Sequence, residues 1–371
     1  MVLRMSLPNI ERGPWFEEIG RYHSGIVWLE IRSLDTPIAQ RSFRSKFNIV
    51  VDGLVCLQVL KIEIEPGTIS TLLPAVRDLP LLKYLALRIS ENLPENDPSL
   101  QERALERPSQ PAKVLEFEYE GRPKNNLRAI LNISNSLSMF YSSIYCTSSP
   151  VAYPIEMQSM LGWITVNSRF IQSLTFFDQK KPFQWTVDSR IRQNIPRTVF
   201  AIPPSILSPL AGLHKLQSLT FNTFSGTMLS PELLETLATS LTRLENCVFR
   251  PLRLVNNDGG SGCSVRLTNV IKFVLQCPSL RHLAVCCDAR KSANPPTDSI
   301  VIANSAQLDT LDVGQSMIDD SGYVISTLQR SLPALRQVIH GTRDFHISLI
   351  MTCEEERIWD DVGEMINQGR A

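Results

Sequence analysis

Apolar residues recur in this chain as a triplet, Leu-x-x-Leu-x-Leu, that returns about every 28 residues. Apolar and polar side chains alternate within each triplet, which predicts a short strand with one buried and one exposed face. A fixed spacing in this range is typical of stacked structural units rather than of one compact core. The five clearest triplets are Leu57-Leu60-Ile62, Leu82-Leu85-Leu87, Leu216-Leu219-Phe221, Leu280-Leu283-Val285 and Leu308-Leu311-Val313.

The central apolar residues of the triplets form a ladder along the chain. Nine of its members are clear from the pattern, and a looser match raises the number to eleven. Ile144 is the weakest member, and it is included because Leu115 and Leu174 are separated by about two ordinary steps. The ladder runs Leu29, Leu60, Leu85, Leu115, Ile144, Leu174, Leu219, Cys247, Leu283, Leu311 and Val338.

The segments between several strands carry apolar residues at helical spacing. Ser230 is a predicted N-cap, and Pro231 lies in the first turn of the helix that it starts. Because no single strand–helix unit can bury its apolar face alone, the units must stack. The sequence predicts an α/β solenoid with parallel strands on its concave face and helices on its convex face. The helical positions are Leu72, Leu73 and Val76; Leu233, Leu234, Leu237 and Leu241; Val270, Ile271, Val274 and Leu275; and Val324, Ile325, Leu328 and Leu332.

The ends of such a stack need covers, and both ends of the array carry an apolar stripe. We expect an N-terminal capping segment at residues 1–24, the solenoid at residues 25–345 and a C-terminal capping helix at residues 346–371. The stripes consist of Trp15, Phe16, Ile19 and Tyr22 at one end and Ile358, Trp359, Val362, Met365 and Ile366 at the other.

Four polar or Gly/Pro-containing stretches interrupt the spacing: residues 90–111, 178–213, 251–265 and 287–299. They are predicted to be insertions in loops, which in solenoids fall on one rim that is often used for binding. The pattern leaves open whether the 178–213 stretch covers the concave face or projects away from it.

Composition narrows the classes of function. Lys plus Arg and Asp plus Glu both number 37, so the net charge is zero and no clustered basic face for nucleic acid is expected. The eight cysteines include no Cys-x-x-Cys pair, which argues against zinc, and several lie in apolar runs that suit buried thiols of a reducing compartment. No apolar stretch is long enough to span a membrane, and the first residues lack a signal-peptide run. A cytoplasmic or nuclear location is expected.

Catalytic motifs do not rise above chance. The sequence lacks the helical zinc-protease motif, the nucleophile elbow and the phosphate loop, and the Gly-rich stretch at Gly259 has no following Lys. The five histidines are far apart, and His282 faces Thr310 in the next predicted strand. We therefore expect no enzyme and no catalytic, cofactor-binding or metal-ligating residues.

The outward positions of the strands line up in rows and form a candidate concave binding surface for a protein ligand. The ladder aligns Glu116 with Ala86 on one side and with Tyr145 on the other. Aromatic and Arg side chains are the types that anchor protein interfaces. An alternative is that Glu30 with Lys61, Arg32 with Glu63, and Glu63 with Arg88 only pair across strands. The candidate residues are Trp28, Glu30, Arg32, Lys61, Glu63, Tyr84, Arg88, Glu116, Tyr145, Phe177, Asn222, Asn246, Arg250 and His282.

The unit that starts Leu308-Asp-Thr-Leu311-Asp-Val313 resembles the leucine-rich repeat of F-box proteins. Ser316 stands in the Cys position of that repeat and Asp319 in the Thr position of its turn. The phrases Leu79-Pro80-Leu81-Leu82, Cys277-Pro278-Ser279-Leu280 and Leu332-Pro333-Ala334-Leu335 are similar to the joint before each strand in fungal F-box/leucine-rich-repeat proteins. The resemblance implies a leucine-rich-repeat horseshoe and a non-enzymatic role as the substrate-binding part of a ubiquitin-ligase receptor.

An F-box itself is not evident. Leu7-Pro8 begins like its usual opening, but the first predicted strand arrives at Leu29 and leaves no room for the remaining helices. We expect either a docking segment upstream of Met1, with a cullin-ligase adaptor as a partner, or a stand-alone scaffold or inhibitor with no ligase link.

Overall fold

The computed structural model describes the chain in segments. They are residues 2–6, 24–32, 53–64, 76, 79–89, 112–121, 137–146, 157–158, 161–162, 164–166, 171–177, 202–222, 227–249, 264–293, 306–314, 316–340 and 353–368. The chain divides into two compact units: Met1–Ser149 with Gly162–Ser173 form unit 1, and Pro150–Leu161 with Leu174–Ala371 form unit 2.

Unit 1 contains parallel strands that pair in chain order. Each pair from β1–β2 to β5–β6 is parallel. Parallel pairing requires a crossover segment between consecutive strands, which agrees with the spacing of the triplets. The strands are β1 Val2–Ser6, β2 Trp28–Arg32, β3 Val59–Ile64, β4 Tyr84–Ile89, β5 Ala112–Gly121 and β6 Leu137–Cys146.

Strand β1 is an addition to the predicted ladder, which places the first strand at Leu29. Val2 pairs with Trp28 and Ser6 with Arg32, so the segment that was expected only to cap the array provides a strand beside β2. The reason is local: Leu3 and Met5 alternate with polar neighbours, and such a segment can satisfy the backbone groups at the free edge of β2.

The predicted register holds for the first three ladder residues and fails at the fourth. Leu29 pairs with Leu60 and Leu60 with Leu85. Leu85 then pairs with Phe117 rather than with Leu115, a shift of two residues. A shift of two leaves the same side chains on the same face of a strand, so the apolar alternation alone could not distinguish the two registers.

Unit 2 alternates strands and helices, so the molecule is a mixed α/β protein with parallel strands. Its strand pairs from β8–β9 to β11–β12 are parallel and follow chain order. Strand β7, Ser173–Phe177, lies at the division between the units. The other elements are helix α1 Pro204–Leu207, the 3-10 helix η1 Ser208–Gly212, β8 Ser218–Asn222, α2 Pro231–Ser240, β9 Asn246–Phe249, α3 Leu267–Gln276, β10 His282–Ala284, the 3-10 helix η2 Lys291–Ala293, β11 Thr310–Gly314, α4 Ser321–Ser331, β12 Gln337–His340 and α5 Cys353–Gln368.

The ladder residues of unit 2 pair as the spacing predicts. Leu219 pairs with Cys247, Cys247 with Leu283, Leu283 with Leu311, and Leu311 with Val338. All five are buried, and rows of identical apolar positions therefore stack directly on one another.

The same hydrogen-bonded turn precedes five of the described strands, β3, β8, β9, β10 and β12. In unit 2 the amide of Leu280 donates to the carbonyl of Cys277 at 3.0 Å, and the amide of Leu335 donates to that of Leu332 at 3.0 Å. In unit 1 the amide of Leu57 donates to the carbonyl of Leu54 at 3.0 Å. Both ends of each turn are buried. At Cys277-Pro278-Ser279-Leu280 and Leu332-Pro333-Ala334-Leu335, the predicted joint is thus a hydrogen-bonded turn that ends shortly before a strand.

The helices of unit 2 follow the predicted apolar stripes. The hydroxyl of Ser230 accepts from the amide of Leu233 at 3.2 Å, as expected for an N-cap, and Asp320 accepts from Tyr323 at 2.8 Å at the start of α4. The inward positions are buried, while Leu275 and Ile325 are only partly buried. The buried helical residues include Leu233, Leu234, Leu237, Val270, Ile271, Phe273, Val274, Val324 and Leu328.

A second line of backbone bridges runs through segments that were predicted to be insertions. Asp288 bridges to Arg266 and to Met317, and Ile202 bridges to Thr227, all in parallel. Each of these residues lies shortly before a helix. The described part of the 287–299 stretch is therefore built into the fold, with Cys287, Asp288 and Ala289 buried.

The described part of the 178–213 stretch corrects another predicted insertion. Residues 202–213 hold α1 and η1, and Ile206, Leu207 and Leu210 are buried. This segment supplies helical cover between β7 and β8. A single backbone bridge followed by one helical turn shows no periodicity, so the sequence could not distinguish it from a loop.

The C-terminal helix α5 is attached through Trp359. This side chain is fully buried, and its indole Nε1 donates to the carbonyl of Ser316 at 2.8 Å. Val362 and Ile366 of the predicted stripe are also buried, whereas Met365 is exposed. His340 at the end of β12 lies 3.0 Å, Nε2 to Oδ1, from Asp360 of the helix. Helix α5 packs on β12, the last strand in chain order.

Other predictions fall on residues outside the described segments. These are the N-terminal stripe of Trp15, Phe16, Ile19 and Tyr22, the helical positions Leu72 and Leu73, and the 90–111 stretch. Of the 251–265 stretch, only Ser264 and Val265 are described; the Ser264 hydroxyl donates to the carbonyl of Leu229, and Val265 is buried.

We predict that Ser316→Ala destabilises the protein by roughly 1–3 kcal/mol. The Ser316 hydroxyl accepts from the buried amide of Cys287 at 2.8 Å and donates to the carbonyl of Val313 at 2.6 Å. The substitution removes the hydroxyl that accepts from this buried amide. Urea unfolding measures the change, and Ser326→Ala, on the exposed face of α4, is the matched control. Equal stability of the two variants would contradict the prediction.

We predict that stability falls in alkaline solution because of two buried thiols. Burial raises the pKa of Cys277 to about 12, and burial and the neighbouring Cys277 raise the pKa of Cys247 well above its ordinary value. The unfolded chain ionises these thiols near pH 8.5, so the stabilisation is complete below that pH and declines as the pH rises towards 12.

Urea unfolding at pH 8 and pH 10 measures this dependence. The free energy of unfolding should fall between pH 8 and pH 10. In Cys277→Ala, this fall should be smaller than in the wild type by roughly 1–2 kcal/mol. Cys56→Ala is the control, because Cys56 is partly exposed. An unchanged pH dependence in Cys277→Ala would contradict the assignment.

Candidate functional site

The exposed side of β2, β3 and β4 forms a compact surface in unit 1, which we call the N-terminal strand face. Its first row is Trp28, Val59 and Tyr84, and its second row is Glu30, Lys61 and Ala86, as the register sets them. The residues between them, such as Leu60 and Leu85, point into the core and are fully buried. Strand alternation therefore places aromatic and charged side chains together on one face.

Lys61 lies between two aromatic rings on this face. Its Nζ is 5.3 Å from the centroid of the Trp28 ring and 5.0 Å from that of the Tyr84 ring. Trp28 and Tyr84 flank Val59 in the first row, two strand spacings or about 10 Å apart. The Lys61 chain thus leans back over Val59 and places its ammonium between the rings. We call Trp28, Lys61 and Tyr84 the aromatic clamp.

Within the described residues, the contacts of the Lys61 ammonium are with the two rings. Its Nζ has no described carboxylate or carbonyl acceptor within hydrogen-bonding distance. Glu30 lies opposite Lys61 in the register and is only 8% exposed. Cross-strand pairing of Glu30 with Lys61 therefore stays an alternative role for this lysine beside the aromatic clamp.

The exposed side of β8 to β12 forms a second surface in unit 2, which we call the C-terminal strand face. One row runs Ser218, Asn246, His282, Thr310 and Gln337. The predicted apposition of His282 with Thr310 is confirmed. The Nε2 atom of His282 is buried and has no hydrogen-bond partner among the described residues. The first row of this face holds polar side chains and no Asp, Glu, Lys or Arg.

The structure places six of the predicted surface residues with their side chains. Trp28, Glu30, Lys61 and Tyr84 lie together on the N-terminal strand face, while Asn246 and His282 are neighbours on the C-terminal strand face. Arg250 lies outside the described residues. The structure gives the strand position but not the side chain of Arg32, Glu63, Arg88, Glu116, Tyr145, Phe177 and Asn222.

Two of these positions differ from the predicted alignment. Glu116 pairs with Tyr84 and Tyr141, not with Ala86 and Tyr145. Tyr145 pairs instead with Glu120. The β4–β5 register is shifted by two residues from the predicted one, and the β5–β6 register is shifted by four residues, since Glu116 pairs with Tyr141 rather than with Tyr145. Strand β1 adds Arg4 opposite Glu30, a position that the alternation of Val2 to Ser6 could have indicated.

The sequence pattern did not predict a charged cluster in unit 2. The Asp288 carboxylate accepts from Nε of Arg290 at 3.0 Å and from its Nη2 at 2.7 Å, and Lys291 pairs with Asp320 at 3.3 Å. The hydrogen bond to Asp288 raises the pKa of Arg290, and the amide of Tyr323 lowers the pKa of Asp320. These groups satisfy one another around the start of α4, which is a structural role.

Within the described residues, no cluster of three or more His, Cys, Asp or Glu side chains is arranged to hold a metal ion. None of the described helices combines the length and apolarity needed to cross a bilayer. No model of a known protein family matches this chain, and no curated protein matches it. The functional reading therefore depends on the two strand faces themselves.

We predict that the aromatic clamp contributes to stability through each ring. A double-mutant cycle that combines Lys61→Met with Tyr84→Leu should give a coupling free energy of about 0.5–1 kcal/mol, because an ammonium over a ring is worth that much at a partly exposed site. Urea unfolding of the four proteins measures it. A cycle of Lys272→Met, at an exposed position of α3, with Tyr84→Leu is the control; equal coupling in both cycles would contradict the contact.

Proposed function

We propose that this chain is a non-enzymatic protein-recognition module whose units belong to one leucine-rich-repeat solenoid, with the strands on its concave face and the helices on its convex face. The observation that supports this proposal is the register of the parallel strands. Equivalent positions of successive strands lie side by side in both units. A repeated row of this kind offers many exposed side chains in a fixed arrangement, which suits an extended partner surface.

The recurrent turn and the second line of bridges support the repeat. Cys277-Pro278-Ser279-Leu280 and Leu332-Pro333-Ala334-Leu335 make the same hydrogen-bonded turn before a strand. Arg266, Asp288 and Met317 then repeat a bridge before the next helix. These three repeats of unit 2 thus have strand, bridge and helix in the same order, as leucine-rich repeats would have.

The resemblance to F-box/leucine-rich-repeat proteins extends this proposal to a role as substrate receptor of a ubiquitin ligase. Ser316 supports it at one position, because it occupies the buried Cys position of that repeat with a side chain that accepts from Cys287 and donates to Val313. The receptor would act in the cytoplasm or nucleus, where the cullin ligases are found. The alternative is a stand-alone scaffold or inhibitor with the same binding face.

Affinity purification with mass spectrometry tests the recognition role. Thr310→Arg places a bulky charge on the C-terminal strand face, and Thr236→Arg makes the same change on the exposed face of α2. We expect Thr310→Arg to reduce capture of the specific partner at least tenfold and Thr236→Arg to leave it unchanged, because one new charge in a packed contact costs several kcal/mol. Equal capture by both variants would remove the strand face as the binding surface.

The same purification separates the two versions of the role. Recovery of the cullin and its adaptor with the full-length product, including any segment encoded upstream of Met1, supports the ligase receptor. Capture of a partner that depends on Thr310 without cullin or adaptor supports the stand-alone scaffold.

A further inference from the structure

We propose that the aromatic clamp of Trp28, Lys61 and Tyr84 binds a carboxylate of an acidic side chain in the partner protein. This assignment rests on the proposed recognition function and names the chemistry of one contact within it. The clamp holds a cation at a fixed point of the N-terminal strand face, with ring centroids 5.3 Å and 5.0 Å from the Lys61 Nζ.

The two rings orient the ammonium without using its hydrogen bonds. A cation over a ring face is held by the ring quadrupole, and the three N–H donors of a lysine remain able to meet oxygen acceptors. No described carboxylate or carbonyl takes them. The position is therefore preorganised for an anion that arrives from outside, and less side-chain entropy is lost on binding than with a free surface lysine.

The surroundings favour one carboxylate over a phosphate. The clamp itself offers a single cation and no guanidinium, whereas phosphates are usually recognised by several cations or a bidentate guanidinium. Glu30, which pairs with Lys61 in the second row, adds a negative charge close to it. A singly charged carboxylate meets less repulsion there than a doubly charged phosphate.

Apolar residues beside the clamp indicate what surrounds the acidic group. Trp28, Val59 and Tyr84 start their strands, and the turns that precede these strands expose Val27, Val55 and Leu81 by 36%, 49% and 48%. The carbonyl of Val27 accepts from the amides of Gln58 and Val59, so these turns lie at the same end as the clamp. The partner segment would place an Asp or Glu against Lys61 and apolar neighbours against these residues.

Peptide selection on the full-length protein tests the proposal. A random library of 12-residue peptides displayed on phage is selected on the wild-type chain, and the selected peptides are synthesised with a fluorescent label. Their affinities are measured by anisotropy for the wild type, Lys61→Met, Lys272→Met and Thr310→Arg. Met fills the space between the rings, and thermal unfolding checks that each variant is folded.

We expect selected peptides to be enriched in Asp and Glu and to bind Lys61→Met about tenfold to a hundredfold more weakly, with no loss for Lys272→Met. Replacing the critical Glu of a peptide by Gln should give the same loss, and that loss should disappear when the protein already carries Lys61→Met. This non-additivity identifies a direct contact between the carboxylate and Lys61.

Three outcomes would overturn the proposal. Peptides that ignore Lys61→Met but lose binding to Thr310→Arg would remove the carboxylate site and leave the recognition function intact. Selection that yields no peptide sensitive to either strand face would remove both. A labelled dT12 oligonucleotide whose binding depends on Lys61 while no acidic peptide does would assign the clamp to nucleic acid, with bases stacked on Trp28 and Tyr84.

Discussion

The parallel register that stacks the buried ladder residues is the constraint on which the rest of the structure depends. Leu219, Cys247, Leu283, Leu311 and Val338 occupy one row, and each pairs in register with the corresponding residue of the neighbouring strand. Because side chains alternate along a strand, fixing this row fixes the opposite face as well. The hydrogen-bonded turn that precedes β3, β8, β9, β10 and β12 supports the register, since it delivers the chain to an equivalent starting point before each of these strands.

That constraint also produces the candidate site. The register sets Trp28, Val59 and Tyr84 side by side, and the gap of two strand spacings between the rings is filled by the Lys61 side chain from the next row. No local sequence motif encodes the clamp, because its three residues are separated by 33 and 23 positions in the chain. A binding surface of this kind is formed by several neighbouring strands together and not by any one strand alone.

The sequence predicted the features that repeat along the chain, and it did not predict the features that occur only once. The ladder gave the pairing of Leu60 with Leu85 and of Leu283 with Leu311, and the N-cap Ser230 followed from local chemistry. The register of β5 could not follow, because a two-residue shift preserves the alternation. The bridges at Ile202 and Asp288 involve single residues, so no repeating sequence pattern marks them. The contact of Trp28 and Tyr84 with a cation depends on the conformation of the Lys61 side chain, which the sequence does not specify.

Spin-label distances along the C-terminal strand face test the register most directly. Labels are attached at Ser218→Cys with Thr310→Cys and at Ser218→Cys with Gln337→Cys, after the reactive native cysteines are replaced by serine. Stacking in chain order predicts separations of about 14 Å and about 19 Å between the two backbone positions, with one strand spacing between the pairs. Equal distances, or a broad distribution for either pair, would contradict a stack of successive strands in register.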